Sequence, residues 1–536
     1  MNPESFKKSF NLFQNREKEN LTPETKEHPR LYLINTRLWI DQLTKKYQHS
    51  ITIDNIPQKE WQPLFDKYDY FWFMGIYQPS QASREHAQKW SHQSRYALPD
   101  LDPSIDVTGS PFAIPEYSPN PAIAKDWKSW DKMVKHLHKN NKKVILDFVP
   151  NHLALDSQLA QKHPEYFIQG SQHQYLSNPD FYFPLVALDQ KTYYVAHGKD
   201  PNYSSWEDTL QLNYGLPGVH QHMAEELQKL VSHCDGVRCD MAMLVNPITF
   251  LKTWGWTLSP DQKNYLQQHS FWQKNIPLIK NNINKNFKFI GEIYWDEDYL
   301  SQYFDYIYDD KFYKKVISSS PDLKNYLSHL VDPKNNSTSC RSALYIENHD
   351  EERAAKTLGP DRARAAAVLA ALVPESMFIV NQGQENGWQI HPPMQISRFP
   401  NESNDLQTQK FYDKLFKLTN SQLFKNGDWK ICQINQIFGE TIALEVNSKD
   451  EKSKAIICLN ITNNYSKCTI PQISRETPIN IDCLTQDKEI VPDCNRQNGM
   501  YIGLESGEVQ IININKTPKI KQNFRYPNIT RIFDKI

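Results

Sequence analysis

Val144-Ile145-Leu146-Asp147-Phe148-Val149-Pro150-Asn151-His152 opens with six residues that, apart from one acid, are apolar without alternation. A strand with one face in water alternates, whereas a strand covered on both faces does not. Val144–Val149 therefore reads as a strand buried between two layers. Seven further runs of the same kind lie on either side: Leu31–Ile34, Tyr70–Met74, Gly236–Asp240, Phe287–Ile293, Phe304–Tyr308, Leu344–Asn348 and Met377–Val380. Helical patterns separate several of them. Trp130, Met133, Val134 and Leu137 recur at helical spacing within Lys125–Lys139, and His220–Ser232 and Asp361–Leu372 follow the same rule. Repeated strand–helix units argue for a parallel sheet. Eight of them predict an α/β fold of the closed (β/α)₈ TIM-barrel type.

The barrel is expected over residues 30–151 and 215–424, preceded by a polar N-terminal arm at 1–29. Between them, residues 152–214 are polar and aromatic with little period. A structureless loop of that length would argue against the barrel, so the segment is expected to fold as an inserted subdomain after strand 3, over the barrel mouth. Beyond Phe424 the pattern turns strand-like, at Ile431–Phe438, Thr441–Val446, Ala455–Ile461 and Val509–Ile514. This predicts a C-terminal β-sandwich-like domain over 425–515, with a basic tail at 516–536.

At 536 residues the chain exceeds the size at which one core stops growing, about 250–300 residues, so two large units or one large domain with insertions are expected. Lys and Arg number 61 against 62 Asp and Glu, a formal charge of -1. That balance lacks the basic footprint of a nucleic-acid binder and fits an uncharged substrate. No apolar h-region opens the chain, and the most apolar stretch, Ala363–Val380, is broken by Arg364, Pro374 and Glu375; neither a signal peptide nor a membrane span is expected. The eight cysteines show no metal-ligand spacing, and reduced thiols in a cytoplasmic protein are the expectation.

In a barrel of this kind function gathers at the C-terminal ends of the strands. Four segments have that address: Asp147–His152, Asp235–Asp240, Ile290–Ile293 and Ile346–Asp350. Each sets a carboxylate within or just beyond an apolar run. In this order and at these separations they resemble the four signature regions of the α-amylase family, glycoside hydrolase family 13. Asp208–Asn213 resembles a weaker fifth region, and Gly109–Tyr117 resembles the family's approach to its third strand. The resemblance covers about residues 31–400.

The resemblance implies roles. Asp240 matches the nucleophile, Glu292 the general acid/base and Asp350 the third carboxylate, which holds substrate hydroxyls. Arg238 matches the arginine beside the nucleophile. His152 and His349 match histidines that bind sugar hydroxyls, and Asp147 matches an acid that steadies the arginine. Phe112 falls where relatives place a ring that stacks on sugar, although core packing accounts for it equally well; Asn348 is read as support of the site. Acetal cleavage passes through an oxocarbenium-like state, needing one carboxylate against the anomeric carbon and a protonated carboxyl at the leaving oxygen, about 5–5.5 Å apart in retaining enzymes. Two acids that close repel, keeping one protonated, while Arg238 holds Asp240 ionised. The aromatics Tyr193, Tyr194, Tyr203 and Trp206 of the insert either stack on sugar or bury area.

The chain also departs from the family. The Lys-His pair that often follows the nucleophile is replaced by Met241-Ala242-Met243-Leu244. Asn151 matches a calcium ligand, but calcium takes six to eight oxygens and no other ligand is evident; no cofactor and no metal is expected, and Asn151 reads as a hydrogen-bonding residue. Arg353 is expected to pair with Glu351 or Glu352. The implied reaction is hydrolysis of α-glucosidic linkages in oligosaccharides or α-glucans. A glucosyltransferase or phosphorylase sharing the covalent intermediate is the nearest alternative, and a silent carbohydrate-binding scaffold a more distant one. Oligomeric state is not legible in the sequence.

Overall fold

A computed structural model describes residues 28–331, 340–474, 476–486, 490, 492–495 and 499–515. Most of the N-terminal arm and all of the C-terminal tail lie outside the described residues. The chain divides into two units, Met1–Thr419 and Asn420–Ile536.

The first unit is a closed eight-stranded parallel barrel. Its strands are β1 (Arg30–Asn35), β2 (Tyr70–Met74), β3 (Lys143–Phe148), β4 (Gly236–Cys239), β5 (Lys288–Gly291), β6 (Tyr306–Tyr308), β7 (Arg341–Leu344) and β8 (Met377–Asn381), each hydrogen-bonded to its neighbours in chain order, with β8 closing on β1. The helix before β3 runs Trp127–Lys139 and starts at Asp126, whose side chain accepts from the Ser129 N–H, an N-cap that satisfies an orphan donor. Trp130, Met133, Val134 and Leu137 are all buried, and full burial of such a side chain stabilises by about 1.5–3 kcal/mol. Helix Pro360–Leu372, between β7 and β8, is buried around most of its circumference.

Strand 7 differs from its sequence reading. The apolar run Leu344–Asn348 is buried, with Tyr345 and Ile346 at 0% exposure, but the ladder pairs the preceding Arg341–Leu344. An apolar run reports burial, not pairing. The paired residues Arg341 and Ser342 are half-buried and polar, so periodicity carried no sign of them, and Tyr345–Asp350 emerges into the mouth as a loop.

Residues 152–214 form two small antiparallel sheets with short helices. His152–Ala154 pairs with Thr209–Gln211, and Thr192–Ala196 lies between Gln169–Gly170 and Tyr182–Val186.

The second unit holds two antiparallel sheets. One has the order Asp428–Ile431, Ile442–Asn447, Ser453–Leu459, Val509–Asn515, Ile479–Cys483; the other has Asn435–Phe438, Ser466–Ile470, Gly499–Leu504, Asp493–Asn495. Ala443, Ile456, Cys458 and Ile512 of the first sheet share one core with Cys468, Ile470, Met500 and Ile502 of the second, the interdigitation that defines a sandwich. The run Ile431–Phe438, expected as one strand, is split between the two sheets.

Gly236 shows how tightly the barrel is closed. A Cβ there would meet the Lys288 carbonyl at 2.5 Å and Ile145 Cδ1 at 2.8 Å, a backbone and a core atom that cannot swing away. Gly236→Ala is expected to destabilise the first unit by about 1–3 kcal/mol, the usual penalty of overpacking. Thermal unfolding checks this, and an unchanged midpoint would contradict the packing.

Candidate active site

Parallel pairing sets Gly291 of β5 opposite Cys239 of β4, and Asp147 of β3 opposite Arg238 of β4. Asp240 and Glu292 are therefore the first residues past two adjacent strands at matched register. The ladder continues through them: Asp240 N–H donates to the Phe148 carbonyl, Glu292 N–H to the Cys239 carbonyl and Ala242 N–H to the Glu292 carbonyl. Neighbouring strands lie about 4.8 Å apart, so both carboxylates enter the mouth side by side.

Arg238 ties them together. Its Nη1 lies 2.6 Å from Asp240 Oδ1 and 3.6 Å from Asp147 Oδ1, and its Nη2 lies 2.6 Å from Glu292 Oε2. The guanidinium is 1% exposed and sits over three rings, Trp72 and Phe112 at 5.2 Å and Tyr308 at 5.7 Å, each a cation–π distance.

One cation thus faces three buried acids, and burial raises the pKa of each. Asp147 is lifted to about 7, chiefly by burial, against the pull of Arg238 and the Trp72 indole. Asp240 and Glu292 are also raised, burial being the largest cause and Arg238 the main opposing one. Repulsion among the carboxylates, the cause expected from the sequence, is the lesser contribution. In a pocket of this charge balance the acids cannot all ionise together, so one of them holds a proton near neutrality.

Asp350 is carried by the loop after β7. Asn348 Oδ1 accepts from the Asp350 and Glu351 N–H groups, at 2.8 and 3.0 Å, a side-chain turn of the kind Asn favours. Asn381 of β8 donates to the Asn348 carbonyl. The Asp350 charge raises both Asp240 and Glu292, so the three acids share one site. Its side chain is 36% exposed, against 8% for Asp240 and 4% for Glu292; the acids run from an open rim to a closed floor.

His349 packs against Trp72 and Phe112 at 5.2 Å from each ring. Burial, reinforced by Arg238, holds its pKa well below the usual histidine range, so the ring is neutral. Its Nε2 lies 3.1 Å from Asp350 Oδ2, outside hydrogen-bonding angles, and neither ring nitrogen has a hydrogen bond among the described residues. Buried polar atoms left open in this way point to a ligand. His152, on the edge strand of the insert, lies 5.1 Å from Trp206 and is pushed down to about 4, first by burial; it too is neutral. Tyr203 is 74% exposed.

Asn151 fits calcium poorly. Its amide donates to Gln211 Oε1 at 3.2 Å, and Gln211 Nε2 returns bonds to the Asn151 backbone and side-chain oxygens at 3.0 Å. Both residues are fully buried, and this amide pair joins the end of β3 to the insert without a carboxylate. Arg353 also departs from expectation. It pairs with Glu347 at 2.6 Å and donates to the Gln382 carbonyl, because it is 1% exposed and Glu347 is the acid buried beside it.

Sequence reading passed over three contributors. Trp72 was hidden in an apolar strand run. Tyr294, two residues past Glu292, donates to Glu292 Oε1 at 2.9 Å. Met241 adopts φ 41° and turns its N–H onto Glu292 Oε2 at 2.8 Å, a left-handed conformation uncommon for a residue with a side chain. A backbone donor of this kind leaves no mark in residue type. A groove of about 610 Å³, lined by residues including Tyr32, Lys59, Gln382 and Trp388, lies elsewhere on the first unit, and none of the site's carboxylates lines it.

The chain is 23% identical over 362 residues to α-amylase 3 of Dictyoglomus thermophilum, a match spanning 63% of this chain and 62% of that relative's length. The fold is similar to that of a maltogenic α-amylase from Thermotoga neapolitana, with TM-score 0.62, 17% identity, and coverage of 91% of this chain and 99% of that one. It is also similar to a trehalose-6-phosphate hydrolase variant from Bacillus licheniformis, with TM-score 0.61, 14% identity, and coverage of 92% and 100%. The family described as "Alpha amylase, catalytic domain" matches residues 125–421, more than half of the chain, and the chain belongs to the α-amylase family.

Proposed function

We propose that the chain is a retaining glycoside hydrolase acting on α-glucosidic linkages of oligosaccharides or α-glucans. The observation that carries this reading is the single guanidinium that bridges Asp240 and Glu292 on adjacent strands. Adjacent strands, about 4.8 Å apart, suit the separation of about 5–5.5 Å that a double displacement needs.

In this reading Asp240 attacks the anomeric carbon through the oxygen that Arg238 leaves free. The glycosidic C–O bond breaks with its electron pair passing to the leaving oxygen, and Glu292 gives that oxygen its proton. Water then attacks the glycosyl–Asp240 ester, Glu292 takes a proton from it, and the sugar departs with Asp240 restored. Burial raises the Glu292 pKa above the usual carboxylate value, against the pull of Arg238, the direction a general acid requires. Asp350 at the open rim and His349, whose ring nitrogens have no hydrogen bond among the described residues, suit sugar hydroxyls. No step calls on a metal. A reducing compartment, the cytoplasm, fits the thiols of Cys234, Cys239, Cys432 and Cys458, which form no disulfide.

Asp240→Asn is expected to lower turnover of maltooligosaccharides by at least about 10³-fold while the thermal midpoint stays within a few degrees; retention of full turnover would overturn the assignment. With the unmodified chain and maltoheptaose, reducing ends are expected to accumulate in water. Longer products at a constant number of reducing ends would favour a transferase, and a requirement for phosphate would favour a phosphorylase.

A further inference from the structure

Glu292 is held differently at its two oxygens. Oε2 receives the Met241 N–H at 2.8 Å and lies 2.6 Å from Arg238 Nη2. An amide N–H and a guanidinium can only donate, so a proton placed on Oε2 would meet two donors and no acceptor. Oε1 has a different neighbour, the Tyr294 hydroxyl at 2.9 Å. A hydroxyl both donates and accepts: it can donate to an ionised Oε1 and rotate to leave or accept a hydrogen carried there.

Resting on the glycosidase reading, we propose that Tyr294 is a positioning residue for the general acid/base, fixing the exchangeable proton of Glu292 on Oε1 and aiming that oxygen at the leaving group. The proton leaves Oε1 for the glycosidic oxygen as its C–O bond breaks. The Tyr294 O–H then turns toward the bare oxygen and stabilises the carboxylate until water returns a proton to it. Tyr294 itself never ionises, since burial and the Glu292 charge hold its phenol far above the usual range. Arg238 and Asp240 of the β4 end and Asp350 of the β7 loop act on Glu292, and the Glu292 charge acts in turn on His349 of that loop, Asp147 of β3, Tyr308 of β6 and Tyr345 after β7. Among the described residues none of these hydrogen-bonds to Oε1, and the Tyr345 hydroxyl is buried with no hydrogen bond.

The test is Tyr294→Phe in the full chain, read first by carbon-13 titration of the Glu292 carboxyl, with the resonance assigned by its loss in Glu292→Gln. Losing a donor to the charged form disfavours that form, so the Glu292 midpoint is expected to rise by about one pH unit. Tyr345→Phe, which removes a hydroxyl not bonded to Glu292, should leave it in place. The alkaline limb of kcat/KM should move up with the midpoint. kcat on maltooligosaccharides should fall about tenfold with KM little changed, and the fall should largely vanish on α-glucosyl fluoride, whose leaving group needs no proton. A midpoint that does not move in Tyr294→Phe, or an equal loss on both substrates, would overturn the proposal. The titration needs no turnover, so it fails or succeeds separately from the glycosidase reading, which is tested by cleavage of α-glucosides by the unmodified chain.

Discussion

A single buried cation organises the site. The Arg238 guanidinium has no access to water, and a charge in that position must be matched by partners or the fold would not tolerate it. Its two terminal nitrogens reach Asp240 and Glu292, Asp147 stands slightly farther off, and three aromatic rings close the remaining sides. Each component answers a need of another. The acids neutralise the arginine, the arginine offsets part of the burial that would otherwise protonate them, and the rings exclude the water that would weaken both effects. The excess of acids over cations is the feature with chemical consequence, because it leaves a proton in the cluster near neutral pH.

The barrel supplies this arrangement through register. Parallel strands end together, so residues 240 and 292, distant in sequence, leave their strands as neighbours. What lies past the strands is finer. Met241 accepts an unfavourable backbone conformation and thereby points an amide at Glu292. Asn348 folds the loop after β7 so that Asp350 faces the same pair. Asp240 is followed by Met241-Ala242 rather than a Lys-His pair, and the Met241 N–H there donates to Glu292.

The sequence carried the scaffold where burial and pairing coincide. Tyr70–Met74 is predicted and found at the same residues, and the buried stripe of Trp127–Lys139 was legible from its period. It misled where the two separate: the run Leu344–Asn348 is buried but largely unpaired, and Ile431–Phe438 crosses between two sheets. In the site, Asp147, Arg238, Asp240, Glu292 and Asp350 could be named because the segments that carry them resemble the signature regions of the α-amylase family. The sequence did not show that Arg238 bridges to Glu292 as well as Asp240, or that Arg353 chooses Glu347, since both depend on which acids are buried beside the guanidinium. Nor did it reveal Tyr294, whose type suits a strand and whose role lies in one hydroxyl.

The central claim is that Asp240 and Glu292, joined by Arg238, form the reacting pair. Trapping the chain with a 5-fluoro-α-glucosyl fluoride and mapping the modified peptide by mass spectrometry tests it most directly. The account predicts one glycosyl group per chain, attached at Asp240. A label on any other carboxylate, or α-glucan cleavage that proceeds with inversion and no trapped species, would contradict it.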